Sequence, residues 1–275
     1  MNRLRQFFLL PAAVVMLSLF FVPLLIVLFY SLLTRGAYGG VMLPFTWDSY
    51  LRAFDWLYVS IAWRSFWIAA VSTVFCLLLG FPLALYIARH SRRKVLLLNL
   101  VMLPFWTSFL IRTYAWMFLL RDTGLINTLL QSLHLISAPL PFLFNTYAVL
   151  LGLVYGYLPF MVLPLYATIE RLDPAWFDAA ADLGANPLVT IWKIVVPLSG
   201  PGILAGSLLV FIPCLGAYLT PDLMGGGKTV MIGNLVQNQF AASRDWPFGA
   251  AVSLLLMLTV LVVTALISRR AQELI

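Results

Sequence analysis

Residues able to do chemistry are scarce in this chain. Its 275 residues hold 10 acids, 2 histidines and 2 cysteines. Cys76 and Cys214 lie far apart inside apolar runs, with neither a disulfide framework nor metal-ligand spacing between them. His90 sits in the basic run Arg89-His90-Ser91-Arg92-Arg93-Lys94 and reads as a solvated surface residue; His134 lies in a loop without ligating neighbours. Gly225-Gly226-Gly227-Lys228-Thr229 approaches a phosphate-binding loop. That loop needs a further glycine five positions before Gly227, where Asp222 stands, so the glycines read as a mobile loop. No His-Glu-x-x-His, Gly-x-Ser-x-Gly or paired intramembrane aspartates occur. Enzyme catalysis has no visible residues to carry it, and no cofactor or metal is expected on the chain itself. The clearest polar pattern is an interaction pattern: Asp178 and Asp182, four residues apart in an alanine-rich stretch.

The elements that must position these residues are membrane spans. Apolar and aromatic residues make up 63% of the chain and charged residues 10%, with a mean hydropathy of +0.99. Soluble domains carry about 25% charged residues, so a soluble enzyme, a disordered chain and a nucleic-acid-binding module are excluded. The net charge of +7 comes from cations at the ends of apolar runs. A spanning helix needs about 20 mostly apolar residues. Six such runs stand at 7–33, 61–88, 95–120, 144–169, 198–221 and 247–268, too long and too continuously apolar for barrel strands. The first run exceeds a signal-peptide core and no small-residue cleavage site follows it, so it reads as an anchor. With the N-terminus inside, the inner segments carry Arg3, Arg5, Arg89, Arg92, Arg93, Lys94, Arg171, Lys193, Arg269 and Arg270. The outer ones carry the smaller set Arg35, Arg52, Arg64, Arg121, Lys228 and Arg244. This bias places both termini in the cytoplasm. The outer loops 34–60, 121–143 and 222–246 are long, and the aromatics of 34–60 suit either an interfacial belt or a docking surface for an external partner.

The one long inner loop carries clear punctuation. Asp173 is a good N-cap and Pro174 fits the first helical position. Gly184 suits a helix C-terminus, and Asn186-Pro187 repeats the cap-and-proline start. The loop is expected to form a short helix of about ten residues, a sharp turn, and a second helix to Pro197. Trp176, Ala179, Ala180 and Leu183 form one stripe. A helix lying on lipid headgroups should present Lys and Arg; this one presents Asp178 and Asp182, which favours docking to a protein.

The same loop resembles a motif of ABC importer permeases, Glu-Ala-Ala, three residues, Gly, nine residues, Ile, one residue, Leu-Pro. Here Asp178-Ala179-Ala180 precedes Gly184 at that spacing, and Ile194, Val195, Val196 and Pro197 follow, with Asp178 in place of Glu and Val196 in place of Leu. Pro104 to Tyr114, Leu158 to Tyr166, Asp222 to Gly226, Met231 to Asn234 and Arg244 to Ala251 resemble the spermidine/putrescine branch, so the likeness covers nearly the whole chain. The resemblance implies an all-α integral membrane protein, a six-transmembrane-helix type I ABC importer permease with a cytoplasmic coupling helix. Residues 1–60 would be an N-terminal helix with an extracytoplasmic loop, and 61–270 the transmembrane domain, with the coupling loop at about 172–197. The coupling residues implied are Asp178, Ala179, Ala180, Asp182, Leu183, Gly184, Asn186 and Pro187. It further implies a dimer of ATP-binding subunits holding ATP and Mg, a second homologous permease, an extracytoplasmic substrate-binding protein and a bacterial inner-membrane location.

A polyamine path needs carboxylates and aromatic faces turned to the bundle interior. The acids available are Asp222, at the outer end of span five, and Asp245, before span six; each could instead pair with Lys228 or Arg244. Tyr218 lies one turn before Asp222. Trp106, Tyr114, Tyr155 and Tyr157 offer rings, or simply pack. Arg112, counted along a straight third span, falls near the outer interface and is expected to pair with an acid such as Asp122 or to meet the external receptor. Pro213 and Gly216 could bend span five. The alternatives are a permease of the same fold for thiamine, iron or an anion, and an ATP-independent secondary transporter, against which the docking loop and the lack of an internal repeat speak.

Overall fold

The computed structural model describes the backbone of residues 2–272. The side chains of 2–9, 12, 13 and 266–272 fall outside the described residues, and with them the orientation-setting Arg3, Arg5, Arg269 and Arg270. The order is α1 (Asn2–Ser31), β1 (Leu33–Arg35), β2 (Val41–Phe45), α2 (Asp48–Ala53), α3 (Trp56–Arg89), α4 (Lys94–Trp106), α5 (Phe109–Leu120), α6 (Leu125–Ser132), α7 (Thr146–Glu170), α8 (Ala175–Asp182), α9 (Pro187–Leu198), α10 (Gly200–Leu215), α11 (Leu219–Gly225), α12 (Ile232–Ala241) and α13 (Trp246–Gln272). α1, α3, α7 and α13 are each long and apolar enough to cross a bilayer unaided.

Two of the expected spans are not straight. The segments Lys94–Trp106 and Phe109–Ser132 meet at 87°, and Pro187–Leu198 and Gly200–Leu215 at 69°. In the first, the Thr107 hydroxyl donates to the Pro104 carbonyl at 2.8 Å, and Thr107 and Ser108 are extended. Side-chain bonding to the backbone competes here with helix continuation. The second carries a π-helical turn, Ile191–Val195, just before Pro197. Proline lacks the N–H and its ring crowds the carbonyl four residues back, so a widened turn relieves the conflict.

By proximity the chain divides into two units, residues 1–60 with 235–263 and residues 61–234 with 264–275. In the larger unit α7 is the centre: Val149, Leu153, Met161, Val162, Leu165 and Ile169 are fully buried. α10 packs along it through two glycines four apart. A Cβ on Gly202 would lie 2.9 Å from the Pro164 carbonyl oxygen, and one on Gly206 2.7 Å from Met161 Sδ. Within a membrane, where lipid tails are as apolar as leucine, such close approach is what holds helices together.

The smaller unit contains a feature the expected fold lacks. Residues 33–45 form a short antiparallel hairpin, with Leu33 opposite Phe45 and Arg35 opposite Val41. Arg35 donates to the Ser243 carbonyl at 2.7 Å and Gly40 N–H to the Arg244 carbonyl at 2.8 Å.

Candidate functional site

The loop between α7 and α9 folds as its punctuation requires. The Asp173 carboxylate accepts the Ala175 N–H at 2.9 Å, and Pro174 has helical dihedrals. At the other end Gly184 is left-handed, with φ +74°. Ala185 N–H donates to the Ala180 carbonyl at 3.0 Å and Gly184 N–H to that of Ala181 at 2.9 Å. These two bonds close a Schellman cap. The Asn186 side chain then accepts the Val189 N–H at 2.8 Å and starts α9.

The stripe expected on α8 divides. Ala180 is 3% exposed and faces the protein, whereas Trp176 is 54% and Leu183 88% exposed; Asp178, Ala179 and Asp182 share the open side. Phe177 anchors the helix: the Arg89 guanidinium lies 4.3 Å from its ring centre and donates to the Leu172 carbonyl at 2.5 Å. Lys94 pairs with Glu170 at 2.9 Å. The basic run at 89–94 and the α8 loop therefore lie at one end of the unit. A cavity of about 440 Å³ opens beneath α8, lined by Arg89, Phe177, Ala181, Pro187 and Ile191 among others.

The second cluster surrounds the elbow between α4 and α5. Phe105 meets Phe160 edge-on at 5.3 Å, and Trp116 meets Tyr155 at 5.5 Å. The Tyr157 hydroxyl reaches toward the Pro213 carbonyl at 3.5 Å. Trp106 and Tyr114 are 71% and 55% exposed, so they face outward from this unit. Arg112 does not pair with Asp122; the ion pairs among the described residues are Arg52–Asp245 and Lys94–Glu170. The bend at 107–108 also ends the straight path along which the depth of Arg112 was counted. Phe109, beside it on α5, lies against Gly156 in the middle of α7.

The third cluster is the break after α10. The helix stops at Leu215, with Gly216 as its cap, and restarts as α11 at Leu219. The loosened backbone is held by side chains: Asn234 donates to the Tyr218 carbonyl at 2.7 Å and accepts Met231 N–H at 3.1 Å, and the Ser65 hydroxyl accepts Ile232 N–H at 2.7 Å. Gly233 presses on the break, since a Cβ there would lie 2.5 Å from the Ala217 carbonyl oxygen. Tyr218 and Asp222 stand one turn apart, both exposed. The glycine run closes α11: Gly226 is left-handed, with φ +57°, and no helix starts until Ile232.

Asp245 belongs to the other unit and is already engaged. Its partner is Arg52, at 2.6 Å, and neither Arg244 nor Lys228. The second carboxylate oxygen accepts the Phe248 N–H at 3.3 Å, capping α13, and the Arg52 guanidinium lies 3.8 Å over the Phe248 ring.

Against known sequences, residues 77–273 match the family described as binding-protein-dependent transport system inner membrane component. The chain belongs to this family. It is 45% identical over 237 residues to the spermidine/putrescine transport system permease protein PotB of Escherichia coli K12, covering 86% of each chain. Identity to PotB of Haemophilus influenzae is 43% over 234 residues, covering 85% of this chain and 82% of the relative. Among solved structures, a chain of a bacterial alginate ABC transporter in complex with its alginate-bound periplasmic protein has the same fold. Its TM-score is 0.80 at 16% identity, over 99% of this chain and 95% of that one. The chain is thus a transport permease subunit with the fold of ABC importer permeases, and transport rather than catalysis is its work.

In this permease, residues that sequence reasoning passed over carry much of the architecture. Gly202 and Gly206 were legible as a Gly-x-x-x-Gly spacing. Arg52 was not, since no local pattern joins it to Asp245, 193 residues away.

Proposed function

We propose that this permease carries polyamines, spermidine or putrescine, inward across the bacterial inner membrane as one of two permease chains. It would work with a dimeric ATPase and an extracytoplasmic binding protein, with both termini in the cytoplasm. The observation that carries the substrate class is the 43–45% identity to spermidine/putrescine permeases over more than four-fifths of the chain. The exposed Tyr218–Asp222 pair beside the break in span five suits a polycation, which needs a carboxylate and a ring face.

The mechanism follows from the α8 loop. Nucleotide-driven closure of the ATPases would move the helix that presents Trp176, Asp178, Ala179, Asp182 and Leu183. α8 is joined through the Gly184 turn to α9 and, across the 69° bend, to α10, so its displacement is delivered to span five. The ATPase must bind the two conformations with different affinity, because only differential contact shifts the equilibrium.

The test is uptake of labelled putrescine and spermidine by cells whose only polyamine importer contains this chain, competed with unlabelled polyamines, thiamine and molybdate. Competition by polyamines alone supports the reading. Labelled polyamine uptake no greater than in cells lacking the chain would remove the substrate and leave the family in place.

A further inference from the structure

Arg112 is a half-buried charge with no counter-charge among the described residues. Its Nε and Nη1 are buried and have no hydrogen-bond partner, and neither ion pair among the described residues includes it. The Phe109 ring lies 5.6 Å from the guanidinium carbon, and the side chain as a whole is half-buried.

The depth follows from packing. Phe109 lies against Gly156, the eleventh residue of the 25-residue α7, and Phe105 lies against Phe160. At 1.5 Å per residue, this level is about 15 Å from the nearer end of α7. A lipid headgroup or an external protein does not reach so deep. Ionisable groups at such depth pair with one another or with a polar path. On the same helix Ile111, Tyr114 and Phe118 recur at helical spacing and are 66%, 55% and 66% exposed. Arg112 therefore borders an apolar face that this chain leaves uncovered.

We propose that Arg112 forms a mid-membrane ion pair with a carboxylate of the second permease chain, whose spans cover the Ile111–Tyr114–Phe118 face. The proposal rests on the two-permease reading above. It supplies a partner for the guanidinium, and it resolves a conflict in the transport path: a bare cation at this level would repel a polycation, and a neutralised one would not.

The experiment uses the assembled complex, purified through a tag on this chain. Arg112→Asp should lower recovery of the second permease at least tenfold while the tagged chain still reaches the membrane, and Arg112→Lys should retain most of it. In the Arg112→Asp background, each acid in the spans of the second permease is replaced in turn by arginine. One such replacement should restore both recovery and uptake. Wild-type recovery with Arg112→Asp, or no restoring position, would overturn the proposal. So would uptake by the wild-type complex that requires chloride over gluconate and loses that requirement in Arg112→Lys, since an inorganic anion would then be the partner. Failure of the wild-type chain to recover a second permease would overturn the two-permease reading itself, and the pair with it.

Discussion

The ATPase-docking role of α8 is best tested at Leu183. Its side chain is 88% exposed at the end of α8, next to the Gly184 turn, so it contributes almost nothing to the packing of its own chain. Exposed substitutions of this kind change stability by about 0.5 kcal/mol or less. If the residue is buried when the ATPase docks, its burial contributes roughly 1.5–3 kcal/mol. Leu183→Asp removes that term, adds a carboxylate to be desolvated, and sets a third acid near Asp178 and Asp182. Since about 1.4 kcal/mol is tenfold in affinity, the ATPase should bind the permease complex at least ten- to a hundredfold more weakly. The thermal midpoint of the permease itself should stay unchanged. The assay is a titration of purified ATPase onto the complex in nanodiscs, read by binding and by binding-protein-stimulated ATP hydrolysis. An unchanged Kd would refute the docking face.

The choice of residue matters because the neighbouring positions confound the reading. Ala180 lies in the same motif but is 3% exposed. Ala180→Arg would disrupt the seat of α8 on its own protein, so a lost ATPase would not show where the ATPase binds. Gly184→Ala is an intermediate case. Nothing lies within 4 Å of its missing Cβ, so its cost is the left-handed backbone alone, about 1–2 kcal/mol. It should loosen the end of α8 and weaken docking without a contact being removed.

Three further outcomes are expected. Asp222→Asn should raise the KM for polyamine uptake several-fold while all subunits still co-purify; unchanged kinetics would remove Asp222 from the path. Asp245→Asn should lower the thermal midpoint of the permease, because a charge-assisted bond to Arg52 contributes about 1.5–3 kcal/mol, while the folded fraction keeps a normal KM. If the midpoint holds and KM rises instead, Asp245 serves the substrate rather than the fold. Gly202→Ala places a methyl 2.9 Å from the Pro164 carbonyl oxygen, a backbone atom that cannot rotate away. It should cost about 1–3 kcal/mol, seen as a reduced yield of folded permease, whereas Gly200→Ala, with open space at its Cβ, should not.

Much of the architecture was legible because it depends on local chemistry. The cap at Asp173, the turn at Gly184 and the restart at Asn186 each involve partners within five residues, and each formed as the residue types require. The break in span five was also legible: Pro213 lies in the last turn before it and Gly216 caps that turn. The hairpin at 33–45 was not, since its strands are short and its support comes from Ser243 and Arg244, about 200 residues away. Asp245 shows the same limit. As a sequence residue it is an acid beside a span, open to a cation; in the fold that cation is Arg52, and only the long-range pairing says so.

Arg112 shows how one local irregularity changes a global inference. Counting 1.5 Å per residue gives depth only while a helix stays straight. Thr107 and Ser108, two small hydroxyl residues after Pro104, end that condition and turn the chain. The turn moves a guanidinium from the rim, where water would solvate it, to the level of Gly156, where only another buried charge or a polar path can. The same bend leaves Trp106 exposed at the elbow and Ile111, Tyr114 and Phe118 exposed along α5. Each of these is what a chain made to be completed by a neighbour would present, so the third span is where replacing a single side chain should separate assembly from folding.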